Sequence, residues 1–344
     1  MVLSVQYMRA IAALFVVMHH SIEKGAHYST SPMGWFQVGD IGVDLFFIIS
    51  GYIMCHATYN KEISFGKFLK ARVIRIIPLY WVLTTVALVI YLVAPDKINS
   101  SGGMTSIIDS YMLIPSDSKY LIQNGWTLSY EFYFYFIFSL GLASIGIMKY
   151  MKPAIIIIFV ATIGFIVSFN STIINFLTNQ LLLEFLFGIF IFLFFLKYKL
   201  SQFFSISLIL SSIILLLLVN FKGGINIQIV DYGLPMVLLF IGMRGLEDTF
   251  VNKQQLKISK LFEAIGNSSY SLYLIHPFAL VAVSMILDKL GVTGYSYLFL
   301  IALIVASLIT GHACYLILEK NLIKLFKNTR IFRDTKKSQV LQQG

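Results

Sequence analysis

Long apolar runs, broken at intervals by short polar and basic stretches, set the pattern of this chain. A membrane-spanning helix needs about 20 mostly apolar residues. Ten runs approach that length: 4–22, 41–58, 76–94, 127–148, 153–170, 181–197, 203–220, 229–243, 264–287 and 296–318. The eighth is the shortest. In a bilayer each backbone polar group must be satisfied within its own segment, which selects helices for such runs. The predicted fold class is an all-α polytopic membrane protein of about ten transmembrane helices. Trp35 and Trp126 fall near run ends, where interfacial aromatics belong. The longest connection, about 95–126, has the length of a functional or lid-like loop. No fixed-period repeat and no second soluble domain is expected.

Composition sharpens this picture. Of 344 residues, 58% are hydrophobic and only 12% are charged, about half the charged share of a soluble domain. The net charge of +10 is explained by placement. With the N-terminus in the cytoplasm, twenty lysines and arginines fall in inner connections and the tail, and five fall outside. That asymmetry predicts both termini cytoplasmic. It also accounts for the basic balance without a nucleic-acid partner. The expected organisation is one membrane domain, 1–320, and a short basic cytoplasmic tail, 321–344. Cys55 and Cys314 both lie in apolar runs with no CxxC spacing, so neither a disulfide framework nor a metal site is expected. Arg9 comes too late for the basic start of a cleavable signal peptide.

Candidate chemistry lies where ionisable residues interrupt the apolar runs, because such groups are costly there and mark function or a wet cavity. The stretch YMRAIAALFVVMHH, residues 7–20, carries Arg9 and His20 eleven residues apart. That spacing brings them to nearly one helix face, about 16 Å apart along the axis, with His19 about 80° away. A histidine near a helix end is also at home at the headgroup interface. Asp44 sits one turn inside the second run, among the small residues Gly39, Gly42, Ser50 and Gly51 that permit close helix approach. Glu131 enters the fourth run similarly, and Glu184 enters the sixth as an alternative partner. Arg72 and Arg75, three apart, fit either a topogenic anchor on anionic lipid or a cationic clamp for phosphate. Pro78 is expected to mark the bend into the third span. The ninth run opens IGNSSYSLYLIHP, residues 265–277, and is unusually polar. A polar helix–helix seam is a simpler reading of it than catalysis by His276. His312 and Glu319 read as packing. In the predicted topology His20, Asp44 and Glu131 converge on the outer half, Arg72 and Arg75 lie inside, and Arg9 lies between. Such a layout suits an anionic donor entering from the cytoplasm toward a basic histidine.

Five stretches, in this order, resemble the acyltransferase-3 family of integral membrane acyltransferases, particularly its bacterial polysaccharide O-acetyltransferases. They are RAIAALFVVMHH (9–20, R-x10-H), GVDLFFIISGYI (42–53), KFLKARVIRIIPLYW (67–81, with R-x-x-R), WTLSYEFYFY (126–135) and IGNSSYSLYLIHP (265–277). The resemblance implies a multi-pass protein of the bacterial inner (plasma) membrane. It implies acyl-CoA, usually acetyl-CoA, as donor substrate, no tightly bound cofactor, and a glycan or lipid-linked saccharide as acceptor. His20 takes the catalytic histidine role, Arg9 is its paired arginine, Arg72 and Arg75 match the donor-side R-x-x-R, and Asp44 and Glu131 fall on characteristic acidic positions. No appended extracytoplasmic domain is expected after the last span, which favours transfer completed within the membrane domain. His20 then acts as a general base on the acceptor hydroxyl, with Asp44 or Glu131 as its partner, or is acylated first. The rival class is a proton-coupled transporter, since intramembrane His, Asp and Glu also build proton relays.

Overall fold

The computed structural model describes residues 2–30, 32–36, 39, 41–98 and 103–328. Among them the regular elements are helical, and the one β-bridge pairs Thr105 with Lys119. Helices form at all ten predicted runs: α1 (Leu3–His27), α2 (Ile41–Thr58), α3 (Phe65–Val93), α4 (Gly125–Gly141), α5 (Met148–Ile166), α6 (Leu182–Lys197), α7 (Gln202–Lys222), α8 (Leu234–Gly245), α9 (Lys257–Lys289) and α10 (Ser296–Cys314). A short amphipathic helix, α11 (Lys320–Asn328), opens the basic tail. The rest of that tail lies outside the described residues.

Among the described residues, seven helical stretches are long and apolar enough to cross a membrane: Ile41–Thr58, Phe65–Val93, Met148–Ile166, Thr172–Lys197, Gln202–Lys222, Lys257–Lys289 and Ser296–Asn328. The three predicted spans outside that set have physical reasons for it. Helix α1 carries Arg9, His19, His20 and Glu23. Helix α4 has 17 residues and α8 only 12, the latter entered through a π-helical turn, Ile229–Gly233. The basic stretch before Pro78 was expected as a cytoplasmic segment ahead of a bend. That stretch and the third span form one helix, α3, of 29 residues running through Pro78. At 1.5 Å per residue it is about 43 Å long, enough to cross the apolar core and extend beyond it with its basic turns.

Helix α9 packs along α1 and α10, and α2 packs along α6. The α2–α6 contact depends on glycine. A Cβ on Gly51 would strike the Phe185 carbonyl, and one on Gly188 would strike the Ile48 carbonyl, so the two backbones touch where both side chains are absent. Large side chains such as Phe165 on α5 and Phe203 on α7 stay exposed on the outside of the bundle, as expected of a lipid-facing surface.

Three long-range contacts tie helix ends and breaks into the bundle. Glu247 accepts from the Leu3 and Ser4 amides at 2.7 and 2.9 Å, satisfying the donors at the start of α1. Lys149 Nζ donates to the Thr58 and Lys61 carbonyls at 2.8 and 2.6 Å, closing the end of α2. Pro277 lacks an N–H, which frees the Tyr273 carbonyl inside α9. Asn124 Nδ2 donates to that carbonyl at 2.8 Å. The connection ahead of α4 is anchored on α3, with Tyr80 Oη donating to the Ser110 carbonyl at 2.5 Å and Trp81 Nε1 to the Tyr111 carbonyl at 2.9 Å.

Ten spans with both termini in the cytoplasm is the topology we propose from these helices and the charge distribution. Lys61 and Met104 are both exposed, and both native cysteines are buried. In sealed right-side-out vesicles, a membrane-impermeant maleimide should label Met104→Cys directly. It should label Lys61→Cys only after permeabilisation. The reverse pattern inverts the topology.

Candidate active site

A cavity of about 940 Å³ opens between α1, α2, α3, α4, α9 and α11. Its lining runs from Lys67, Lys70 and Lys327 at one end to Thr127 and Tyr273 at the other. Between them lie Arg9, Arg72, Arg75, Glu131 and Tyr135. The predicted donor-side residues therefore share one wall system. Arg9 comes from α1, Arg72 and Arg75 from adjacent turns of α3, and Glu131 from the first half of α4.

Each charge is held by a different neighbour. Arg9 Nε donates to Ser269 Oγ at 3.1 Å. Glu131 accepts from the Tyr135 hydroxyl at 2.9 Å, one helical turn on, and Tyr135 also meets Ser50 at 3.2 Å. Arg75 pairs with Glu319 at 2.5 Å, and Ser271 Oγ donates to the same fully buried carboxylate. The Arg75 guanidinium also lies 6.0 Å from the Tyr270 ring. Arg72 packs over Phe68, and its buried Nε has no hydrogen-bond partner among the described residues. Three guanidinium groups meet two carboxylates here, and the lysines at the cavity mouth add to the excess. In a medium that screens poorly, such a balance favours an anionic occupant.

His20 does not line this cavity. It stands beyond it, eleven residues along α1 from Arg9, where its Nδ1 lies 2.9 Å from Nε2 of His276, with the rings stacked at 5.1 Å between centroids. His276 is fully buried, and its Nδ1 donates to the Leu272 carbonyl at 3.0 Å. A carbonyl can only accept, so His276 carries its proton on Nδ1. In the neutral pair its Nε2 accepts from His20 Nδ1–H. That leaves the lone pair of His20 on Nε2, the nitrogen directed away from the relay. Tyr273 connects the two regions. It lines the cavity, its hydroxyl is 2.8 Å from that of Thr127, and its ring centroid is 6.2 Å from that of His276.

Asp44 lies elsewhere. It accepts from Gln228 Nε2 at 3.3 Å and stands in side-chain contact with Glu184, both acids being buried between α2 and α6. Thus the expected meeting of His20, Asp44 and Glu131 separates into three places: the histidine relay, the acid pair and the cavity wall. The physical reason is rotation. Gly42 presses against Ala12 and Val16 of α1, which turns the Asp44 face of α2 toward α6. His19 packs against Gly39 and lies 3.6 Å from Glu23. The seam expected of the ninth run is present, because Ser269, Tyr270, Ser271, Tyr273 and His276 all bond to other helices. Sequence reasoning missed Glu319 as the partner of Arg75 and His276 as the partner of His20. The available signal was that each predicted charge needed a counterpart on a neighbouring helix.

A family model described as an acyltransferase domain matches residues 2–316. The exopolysaccharide production protein ExoZ of Rhizobium meliloti (strain 1021) is 28% identical over 329 residues, 92% of this chain and 97% of that protein. Protein 2 in the picA locus of Rhizobium radiobacter is 33% identical over 122 residues, 34% of this chain and 58% of that protein. No solved structure matches the chain.

The ion pair beneath the cavity can be tested apart from any activity. Removing one partner of a buried pair costs about 3–5 kcal/mol; Arg75 is a third exposed, so the low end, about 3 kcal/mol, is expected for Arg75→Ala. Thermal unfolding in detergent without ligand should show that loss. It should be largely recovered in Arg75→Ala/Glu319→Gln, which leaves no unpaired charge. Equal stability of the single and double variants would show that the pair is not coupled.

Proposed function

The chain belongs to this acyltransferase family, and from that premise we propose that it carries an acyl group, acetyl by family expectation, from acyl-CoA to a glycan hydroxyl. The observation that carries the reading is the cavity with its surplus of guanidinium and ammonium groups, leading toward the His20–His276 relay. Coenzyme A is an anion with several phosphate groups, and planar guanidinium forks suit such ligands. Arg72 is the arginine best disposed to contact it, since Arg75 is committed to Glu319. The kinship with an exopolysaccharide production protein supports a polysaccharide or lipid-linked saccharide as acceptor. The family match along residues 2–316 favours this enzyme over a proton-coupled transporter.

In the proposed reaction the acyl thioester reaches past Tyr273 to His20. Nε2 of His20 takes the proton of the acceptor hydroxyl as its oxygen attacks the thioester carbonyl. The tetrahedral intermediate collapses, the C–S bond breaks, and the imidazolium returns the proton to the departing thiolate. His276 holds the His20 ring in the tautomer that this step needs, the part that Asp44 or Glu131 was expected to play. A positioned general base contributes about 10²–10⁴-fold. The inner membrane of a bacterium, with the donor in the cytoplasm, is the setting that fits this direction of transfer.

His20→Ala should therefore lower acyl transfer per folded, inserted molecule by at least about 10²-fold. His19→Ala should retain a substantial fraction of activity. Equal activity of parent and His20→Ala would remove His20 as base. Arg72→Ala should weaken acyl-CoA binding, read by isothermal titration with a non-hydrolysable thioether analogue, while the protein remains inserted. Unchanged affinity would leave Arg72 as a topogenic charge only.

A further inference from the structure

A second cavity, also of about 940 Å³, opens where the end of α2 turns into α3. Its walls are the α2–α3 connection, the α4–α5 connection and the last turn of α6. Four lysines line it, Lys61, Lys67, Lys149 and Lys197, against one acid, Glu62. Two of the four already serve the open end of α2. Lys61 Nζ donates to the Ala57 carbonyl at 3.1 Å, and Lys149 Nζ donates to the Thr58 and Lys61 carbonyls. Among the described residues, no acid pairs with Lys67 or Lys197. We propose that this cavity binds the headgroup of an anionic phospholipid, with Lys67 and Lys197 answering its phosphate. The site does not depend on the acyl-transfer reading.

Charge and wall chemistry together select the ligand class. Basic pockets between helices at a membrane surface take anionic headgroups. A lysine that only sets topology needs the correct side of the membrane, not a place in a concave site shared with three others. A water-soluble anion would be met by a polar rim, but this rim is apolar. Ile145 is 93% exposed, and Ile147, Leu196 and Tyr59 around the same cavity are exposed as well. Beside a lipid these side chains cover the glycerol esters and the first carbons of the acyl chains; beside a soluble ion they would face water. The volume lies within the roughly 300–1,000 Å³ of ligand pockets. The rim is also fixed in place. A Cβ on Gly141 would strike the Lys149 carbonyl, so α4 and α5 close tightly, and the chain between them turns at Gly146 with φ +61°. In the proposed topology this end of the bundle is cytoplasmic, which makes the ligand a lipid of the inner leaflet. Lys67 lines the donor cavity too, whereas Lys197 lines only the second one.

The test titrates the full chain, delipidated in neutral detergent, with phosphatidylglycerol and with phosphatidylcholine of the same acyl chains, and counts bound lipid by native mass spectrometry. The parent should bind phosphatidylglycerol at least about tenfold more tightly than phosphatidylcholine. A lysine beside an anionic headgroup contributes about fivefold, so reversing its charge in Lys197→Glu should weaken phosphatidylglycerol by at least about tenfold and leave phosphatidylcholine unchanged. Lys199→Glu makes the same charge change on an exposed residue outside the cavity and should keep the parental affinity. Thermal unfolding checks that both variants are folded; should Lys197→Glu fail that check, Lys197→Gln replaces it, with a loss of about fivefold expected. Equal affinity of the parent for the two lipids overturns the site. Equal losses in Lys197→Glu and Lys199→Glu also overturn it, because surface charge alone then attracts the lipid. Release of phosphatidylglycerol by inorganic phosphate, but not by chloride at the same ionic strength, would assign the cavity to a free anion. Loss of acyl-CoA affinity in Lys197→Glu would assign it to the donor. Either result overturns the lipid site.

Discussion

A charge moved from water into an apolar bundle is destabilising by several kcal/mol unless another group answers it. In this protein that constraint fixes which helices must touch. Arg75 on α3 meets Glu319, beyond the end of α10, and Ser271 of α9 donates to the same carboxylate. Arg9 on α1 meets Ser269 of α9, and Glu131 on α4 lies within electrostatic reach of all three arginines. The cavity exists because these groups hold α1, α3, α4 and α9 around a polar space that apolar packing alone would have closed. The remaining surplus of positive charge favours an anion in that space.

Helix α9 is the element through which the parts communicate. Its face carries Ser269 toward Arg9, Tyr270 toward the backbone of α3, Tyr273 toward Thr127 and His276 toward His20. Pro277 breaks the ladder one residue after His276, and Asn124 at the start of α4 supplies the missing donor. The break therefore ties the entrance of α4 to the turn that holds the relay. A helix that lines the proposed donor cavity and also orients the proposed base gives both a common frame. A displacement of α9 would alter both together.

The helices and the candidate charges were legible in the sequence to different degrees. Apolar runs announced each of the ten long helices, Arg9 and Glu131 stood out because ionisable residues are rare inside such runs, and Arg72 stood out by its three-residue spacing from Arg75. The basic stretch read as helical, and it joins the third span in one helix, because long side chains at a helix end carry their charge outward while the helix continues. Partners were harder. The wheel of α1 aligns His20 with Arg9, but what faces His20 depends on the rotation of α9, and a single helix does not encode that. Asp44 looked like a partner for His20 because both approach the same end of the bundle. The tight contact of Gly42 with α1 turns Asp44 toward Glu184 instead. Glu319 was read as packing, and Arg75, just ahead of the third run, did not announce that its partner would be a buried acid.

The separation between cavity and relay has a chemical consequence. Were His20 in the charged cavity, Arg9 and Arg72 would compete for any anion that its proton transfer creates, and their field would oppose imidazolium formation. About 16 Å of α1 between Arg9 and His20, and the Tyr273 ring, put the histidine pair outside that field's strongest region. The proposed donor site and the proposed base are thereby kept apart. On the proposed reading only an extended, uncharged part of the donor has to pass Tyr273. The phosphates stay with the arginines while the thioester travels to the base. The geometry then discriminates by shape as well as by charge, since a phosphate-rich anion without a long neutral arm would occupy the cavity but present nothing to His20.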